Sequence, residues 1–168
     1  MDEKALKADL QKVWSTACKN WAVMRLKEGK ALAYDIEKRM EQIGKELQKI
    51  LKWQPMLQER YRKKLQERMK DIKVEIEEER LLREAALLAD KADITEEITR
   101  LDSHLDQMSE YLRSKEKSVG RTLDFLAQEM GREIGTLMAK AGDNDISKVA
   151  IVIKSEVEKI REQVQNIE

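Results

Sequence analysis

Apolar residues recur along this chain at steps of three and four. Leu6, Leu10, Val13, Ala17, Trp21 and Met24 open the series, and Ile36, Met40, Ile43, Leu47 and Ile50 resume it beyond Gly29. That spacing gathers apolar side chains on one helical face. It predicts one very long helix, or two nearly collinear ones interrupted around KEGK (27–30). Trp53-Gln54-Pro55 predicts a break, because proline disfavours helical geometry in the residue before it and suits a first helical turn. Leu57, Tyr61, Leu65, Met69, Ile72 and Ile76 then mark a second helix, expected to return antiparallel to the first.

ADKAD (89–93) reads as a turn, and Asp93 followed by Glu96 has the spacing of a helix N-cap. Ile94, Ile98, Leu101, Leu105, Met108 and Leu112 stripe the next helix; Val119, Leu123, Leu126, Met130, Ile134 and Leu137 stripe the one after. Gly142 suits a helix stop, and Asn144 or Asp145 a cap. Ile146, Val149, Ile153, Val157, Ile160, Val164 and Ile167 carry a final helix to the end of the chain. No repeat, low-complexity tract or strand-like alternation interrupts this pattern. The prediction is all-α: a long antiparallel helical arm over residues 1–78 leading into a small helical bundle over residues 79–168.

Composition agrees with long amphipathic helices: 39% of the 168 residues are charged, aromatics make up 4%, and there is a single proline. The length suffices for one domain with a real core. Lys+Arg and Asp+Glu both number 33, so net charge points to no partner. Its distribution does. Residues 1–70 hold 18 basic and 10 acidic side chains, a net of +8; residues 71–110 hold 5 and 13, a net of −8. Within the basic block, Arg60, Arg62, Lys63 and Lys64 in ERYRKKLQER form a patch suited to phosphates. They also suit a solvated face that pairs with the acidic segment.

Cys18 is the only cysteine, which excludes an internal disulfide and a cysteine-built zinc site. MDEKALKADL at the N-terminus has no apolar signal core. The longest apolar runs, AALLA (85–89) and VAIVI (149–153), are too short to span a membrane. A cytoplasmic protein with no membrane partner is expected.

Candidate chemistry lies in the last three helices. Asp93, Glu97, Arg100 and His104 fall within an arc of about 60° beside an apolar stripe, at 100° per residue. His104 is the only histidine, the one side-chain type that ordinarily titrates near neutrality. Glu97 and His104 lie about 10.5 Å apart along the axis at 1.5 Å per residue, so a metal shared with another helix is needed to join them. Glu129 and Glu133, one turn apart, can approach a hard cation or clamp a basic side chain. Arg121 and Arg132 suit phosphate oxygens. Asp124, Gln128, Gly131 and Gly135 line one flank of the stripe, and Arg161, Gln165 and Glu168 a matching flank of the final helix. No P-loop, HExxH, GxSxG or CxxC is present. Charges beside an apolar stripe are also what any bundle helix shows.

Gly131 and Gly135 stand out, since each interior glycine costs a helix roughly 0.5–1 kcal/mol relative to alanine. They sit four residues apart on one side of the most regular helix.

ADKADITEEITRLDSHL (89–105), GRTLDFLAQEMGREIGTLMAKAGD (120–143) and the closing KSEVEKIREQVQNIE resemble the YicC-like family of bacterial proteins. MRLKEGKALAYDIEKR (24–39) resembles that family's MRxxEGxxLxxDIxxR stretch. The likeness spans roughly residues 15 to 168, the C-terminal helical part of the family, whose N-terminal domain has no counterpart here. It implies a cytoplasmic, metal-dependent endoribonuclease, a phosphodiester hydrolase, using Mn²⁺ or Mg²⁺ on single-stranded or structured RNA and assembling as a homo-hexamer.

On chemical grounds, Glu97, Glu129 and Glu133 are the expected metal ligands. His104, Glu129, Arg132 and Glu133 are the expected catalytic groups. RNA contacts are expected from Arg100, Arg121, Gln128 and Arg132, and from Arg60, Arg62, Lys63 and Lys64. The family's usual wording QEMNREINT has asparagines where this chain has Gly131 and Gly135, so the glycines read as replacements on a polar face rather than demands of the fold. The competing expectation is a non-catalytic oligomerisation or RNA-binding scaffold whose activity needs the family's N-terminal domain.

Overall fold

The computed structural model of the chain describes residues 3–72, 83–84, 86–87, 91–114 and 118–167. Four long helices account for most of them: α1 (Glu3–Ile72), α2 (Thr95–Arg113), α3 (Gly120–Ala141) and α4 (Asn144–Val164). No strand occurs among the described residues. The chain divides into two compact units, residues 1–37 and 38–168. The boundary expected near residue 78 falls outside the described residues.

The first unit is helical throughout its described length and leaves much of its apolar stripe in solvent. Leu6, Leu10, Val13, Trp14, Trp21 and Met24 are all exposed. Arg25 lies over the Trp21 ring, 4.7 Å from its centroid, an exposed cation–π contact.

In the second unit α3 is the middle helix, packed against α2 on one side and α4 on the other. Leu123, Leu126, Met130, Ile134 and Leu137 of α3 are buried. They meet buried Ile98, Leu101, Leu105 and Met108 of α2, and Ile146, Val149, Ile153, Val157, Ile160 and Val164 of α4. Every one of these lies on a stripe read from the sequence. From α1, Ile43, Leu47, Ile50 and Leu57 are buried as well.

Polar ties hold this stretch of α1 to the bundle. Arg39 Nη1 meets Glu156 Oε2 of α4 at 3.0 Å, and Gln54 Nε2 donates to the hydroxyl of Thr95 at the start of α2. Arg60 Nη1 meets Asp143 Oδ2 at 2.8 Å.

Around KEGK the single long helix, not the pair, is the alternative that forms, and the interruption expected at Pro55 does not occur. The helix runs through Gly29, and it runs through Pro55, so residues 57–72 continue α1 instead of returning as a second helix. A lone glycine costs about 1 kcal/mol, less than the unfavourable nucleation of a new helix requires. Proline removes one backbone hydrogen bond and crowds the carbonyl of Leu51, at about 3 kcal/mol. Here Ile50 before it and Leu57 after it are both buried, each contributing roughly 1.5–3 kcal/mol, and the Gln54–Thr95 bond adds to them. Tertiary packing on either side thus overrides the local preference. Tyr61, Leu65, Met69, Ile72 and Ile76 have side chains outside the described residues.

Helix ends follow the sequence with small shifts. Gly142 ends α3 in the left-handed region at φ 48°, where a Cβ would be strained. The cap of α4 is Asp143, not Asn144 or Asp145. Its extended backbone lets Oδ1 accept from the N–H groups of Asp145 (2.9 Å) and Ile146 (3.2 Å). Asp93 serves α2 from one residue further upstream than a formal cap, accepting from the Thr95 N–H at 2.9 Å and the Thr95 hydroxyl at 2.5 Å. Glu96 turns away to Arg100 instead of closing a capping box.

Asp143 therefore does two jobs, capping α4 and holding Arg60. Burial pushes its carboxyl pKa up, but the Arg60 guanidinium and the two backbone N–H groups outweigh that and hold it below the usual carboxylate range. A carboxylate with a lowered folded-state pKa stabilises fully above its unfolded value, near 3.9, and loses that contribution as pH falls through the folded value. Asp143→Asn keeps a capping oxygen and loses the charge. It is expected to melt below the wild type at neutral pH and to lose less melting temperature between about pH 5 and pH 2. Parallel melting curves across that range, followed by circular dichroism, would show that the Arg60 pair contributes nothing.

Candidate active site

The rim between α2 and α3 holds the charges that the sequence placed beside the apolar stripes. Glu97 of α2 is buried, and its Oε1 lies 2.6 Å from Lys140 Nζ of α3. Arg100, one turn further along α2, spans two carboxylates. Its Nη1 meets Glu133 Oε1 of α3 at 3.1 Å, and its Nη2 meets Glu96 Oε1 at 2.5 Å. Arg132 Nη1 meets Glu129 Oε1 on α3 at 2.6 Å.

In each cross-helix or local pair the cation stands further out than its carboxylate. Side-chain exposure is 55% for Arg100 against 11% for Glu133, 73% for Arg132 against 21% for Glu129, and 35% for Lys140 against 5% for Glu97. Helix geometry produces this order. The carboxylate stems sit close to the buried stripe, while the longer basic side chains reach over them to water. Glu96, itself exposed, is the exception.

Hydrogen bonding to Glu97 raises the Lys140 pKa, and hydrogen bonding to Glu133, then the charge of Glu96, raises that of Arg100. Two buried polar atoms of the rim have no partner among the described residues, Glu97 Oε2 and His104 Nδ1. His104 itself is half-buried. Unpartnered buried polar atoms are uncommon, and each leaves hydrogen-bonding capacity open at the site.

On the flank facing α4, Arg161 Nε meets Asp124 Oδ1 at 3.3 Å, and Gln128 Nε2 donates to Asp124 Oδ2 at 2.6 Å. Arg121 is exposed and makes no ion pair among the described residues. Asp93, expected to extend the ladder, is engaged by Thr95 before the helix begins, which lowers its pKa.

The structure brings some of the expected site residues together and keeps others apart. Glu97, Arg100 and His104 share α2, with Lys140 of α3 meeting Glu97 and Glu133 of α3 meeting Arg100. Glu97, Glu129 and Glu133 are matched to three different cations, and among the described residues no three of His, Cys, Asp and Glu gather as a metal ion requires. Arg60 is drawn away to Asp143, with Asp145 3.7 Å off. Lys63 is exposed, 3.9 Å from Glu59. The side chains of Arg62 and Lys64 fall outside the described residues.

Lys140 was missed in the sequence, although its seven-residue spacing from Glu133 gave a signal. Phe125, outside the buried stripe, was quoted only within a motif. No helix of the described residues is long and apolar enough to cross a membrane.

The fold and site define a class: a three-helix bundle carrying a charged rim between two of its helices. Residues 50–168 match the family described as endoribonuclease YicC-like, C-terminal, and the chain belongs to it. It is 41% identical over 170 residues to the probable endoribonuclease YicC of Clostridioides difficile (strain 630), and 34% identical over 167 residues to the protein of the same description from Haemophilus influenzae. Each match covers 99% of this chain and 58% of the relative, so the chain spans less than two thirds of their length.

The two glycines of α3 can now be placed. A Cβ built at Gly131 or Gly135 meets nothing within 4 Å, so packing demands neither. Gly120 is different: a Cβ there would run into the carbonyl of Ile167, which closes over the start of α3. The double variant Gly131→Ala/Gly135→Ala is expected to be more stable by roughly 1–2 kcal/mol. Gly120→Ala is expected to be less stable, because the C-terminal turn must move. Thermal or urea denaturation of the two variants checks both; a destabilised double alanine variant would mean that those glycines are required by the fold.

Proposed function

We propose that this chain is the C-terminal helical part of a bacterial cytoplasmic endoribonuclease that cleaves single-stranded or structured RNA. The observation that carries this reading is the order of charge at the α2–α3 rim. At that rim Arg100 and Lys140 stand further out than Glu133 and Glu97, with Glu96 exposed beside Arg100, and on the outer face of α3 Arg132 stands further out than Glu129. Arginine forks suit phosphate oxygens. Family membership and the printed descriptions of the two relatives point the same way.

In this reading Arg100, Arg121 and Arg132 neutralise phosphate oxygens with Gln128 beside them. Glu133 and Glu129 hold the guanidinium groups of Arg100 and Arg132 in position, and Glu97 does the same for the Lys140 ammonium. His104 exchanges a proton with the scissile phosphodiester's attacking or leaving oxygen. Lys63, with Arg62 and Lys64, supplies attraction along α1, giving an affinity that falls steeply with salt.

A divalent ion, Mn²⁺ or Mg²⁺, is proposed for the whole enzyme on the strength of the resemblance. It finds no ready cage here, because Glu97, Glu129 and Glu133 are each covered by a cation.

The direct test incubates this chain, beside a full-length relative, with a labelled structured RNA in Mn²⁺, in Mg²⁺ and in EDTA. Cation-dependent cleavage is expected, falling about 10²-fold or more when His104 is replaced by alanine. If a full-length relative altered at the positions aligned with His104, Glu129 and Glu133 still cleaves normally, the assignment is wrong. Cleavage by the full-length relative alone would favour the scaffold reading.

One observation favours a second role alongside the first, self-association. The exposed Leu6, Leu10, Val13, Trp14, Trp21 and Met24 of the first unit fall within an arc of about 100° on one helix face, and an exposed apolar stripe of this kind is a mark of an interaction surface. A homo-oligomer, hexameric in the resemblance, would cover it. Sedimentation at two concentrations is expected to show an assembly that Trp14→Glu with Trp21→Glu dissociates; a monomer at both concentrations rules it out.

A further inference from the structure

Phe125 is the only phenylalanine in the chain, and it is 58% exposed in the second turn of α3. Its neighbours in sequence, Leu123, Leu126 and Ala127, are buried, so the helix presents Phe125 on the opposite side from its packing stripe. Single exposed apolar residues are ordinary. What surrounds this one is not apolar. Arg121 lies one turn before it, and Arg132 two turns after it, both exposed. At 100° per residue the three fall within an arc of about 40°.

We infer that Phe125 is a stacking platform for an unpaired base of RNA, with Arg121 and Arg132 holding the phosphates on either side. This rests on the nucleic-acid reading above and goes further, because it assigns an aromatic contact and a preference for single-stranded segments. The chemistry is general. Every base has a flat face that stacks on an aromatic ring, and a single strand or loop can turn that face outward where a duplex cannot. Flanking arginines supply charge that a purely apolar partner would not call for. A protein surface docking on Phe125 would instead have to cover two arginines, which argues against a second copy of the chain as occupant.

The experiment measures binding of a fluorescein-labelled single-stranded RNA, and of the same strand annealed to its complement as a blunt, fully paired stem, by anisotropy. The protein is the full chain and its variants Phe125→Ala, Phe125→Leu and Phe125→Tyr, in buffer with EDTA so that no cleavage intervenes. Because the side chain is exposed, all three are expected to fold, and circular dichroism verifies it. Phe125→Ala and Phe125→Leu are expected to weaken single-strand binding roughly tenfold. Phe125→Tyr should stay within about twofold, binding to the paired stem should not change, and the salt dependence should keep its slope because no phosphate contact is lost.

Equal single-strand affinity for wild type and Phe125→Ala overturns the platform and leaves the RNA reading standing. Absence of RNA binding by the wild type overturns both. A change in sedimentation mass without a change in RNA affinity would make Phe125 a contact between copies of the chain, and would overturn the platform too.

Discussion

The second unit is organised by the burial of one stripe on one helix. Leu123, Leu126, Met130, Ile134 and Leu137 of α3 are shielded by α2 and α4 together, and each contributes roughly 1.5–3 kcal/mol by leaving water. That burial also fixes the rotation of α3 about its axis. Once those five positions face inward, Glu133 and Lys140 lie on the seam with α2, Asp124 lies on the seam with α4, and Arg121, Phe125 and Arg132 face solvent. The position of every charged group in the candidate site follows from an apolar constraint.

Much of this was legible in the sequence, because three- and four-residue periodicity survives whatever else the helices do. The stripes of α2, α3 and α4 were read residue by residue and are buried except at their ends, where Leu112, Val119 and Ile167 are only half-buried. What misled was local chemistry judged without its tertiary surroundings. Pro55 carries the strongest helix-breaking signal in the chain, yet Ile50 and Leu57 are buried on either side of it, and no rule about the residue before a proline contains that information. Asn144 and Asp145 are good caps in isolation, but Asp143 also finds Arg60, 83 positions away in sequence.

The glycines make the same point in reverse. Gly131 and Gly135 drew attention because a repeated interior glycine is costly, yet the space beside them is open. Gly120, unremarkable at a helix start, is the one against which the chain end packs. A close approach between backbone segments 47 residues apart leaves no periodic trace. Ion-pair partners are legible only within one helix, so Glu129–Arg132 could be read from spacing, whereas Glu97–Lys140 required knowing which helix lies opposite.

The charge order at the rim bears on why such pairs are there at all. Removing a carboxylate from water is expensive, and a buried ion pair often does no better for stability than apolar side chains of the same volume. Leucine or methionine at Glu97 would continue the apolar seam without leaving an oxygen unpartnered. A polar group in that position therefore needs a reason other than holding α2 to α3. Placing a cation at a fixed point on the surface is such a reason: a buried carboxylate restrains the amine or guanidinium above it, and a restrained side chain has less rotamer freedom to lose. At the rim Glu97 and Glu133 lie beneath Lys140 and Arg100, while Glu96 stands exposed beside Arg100.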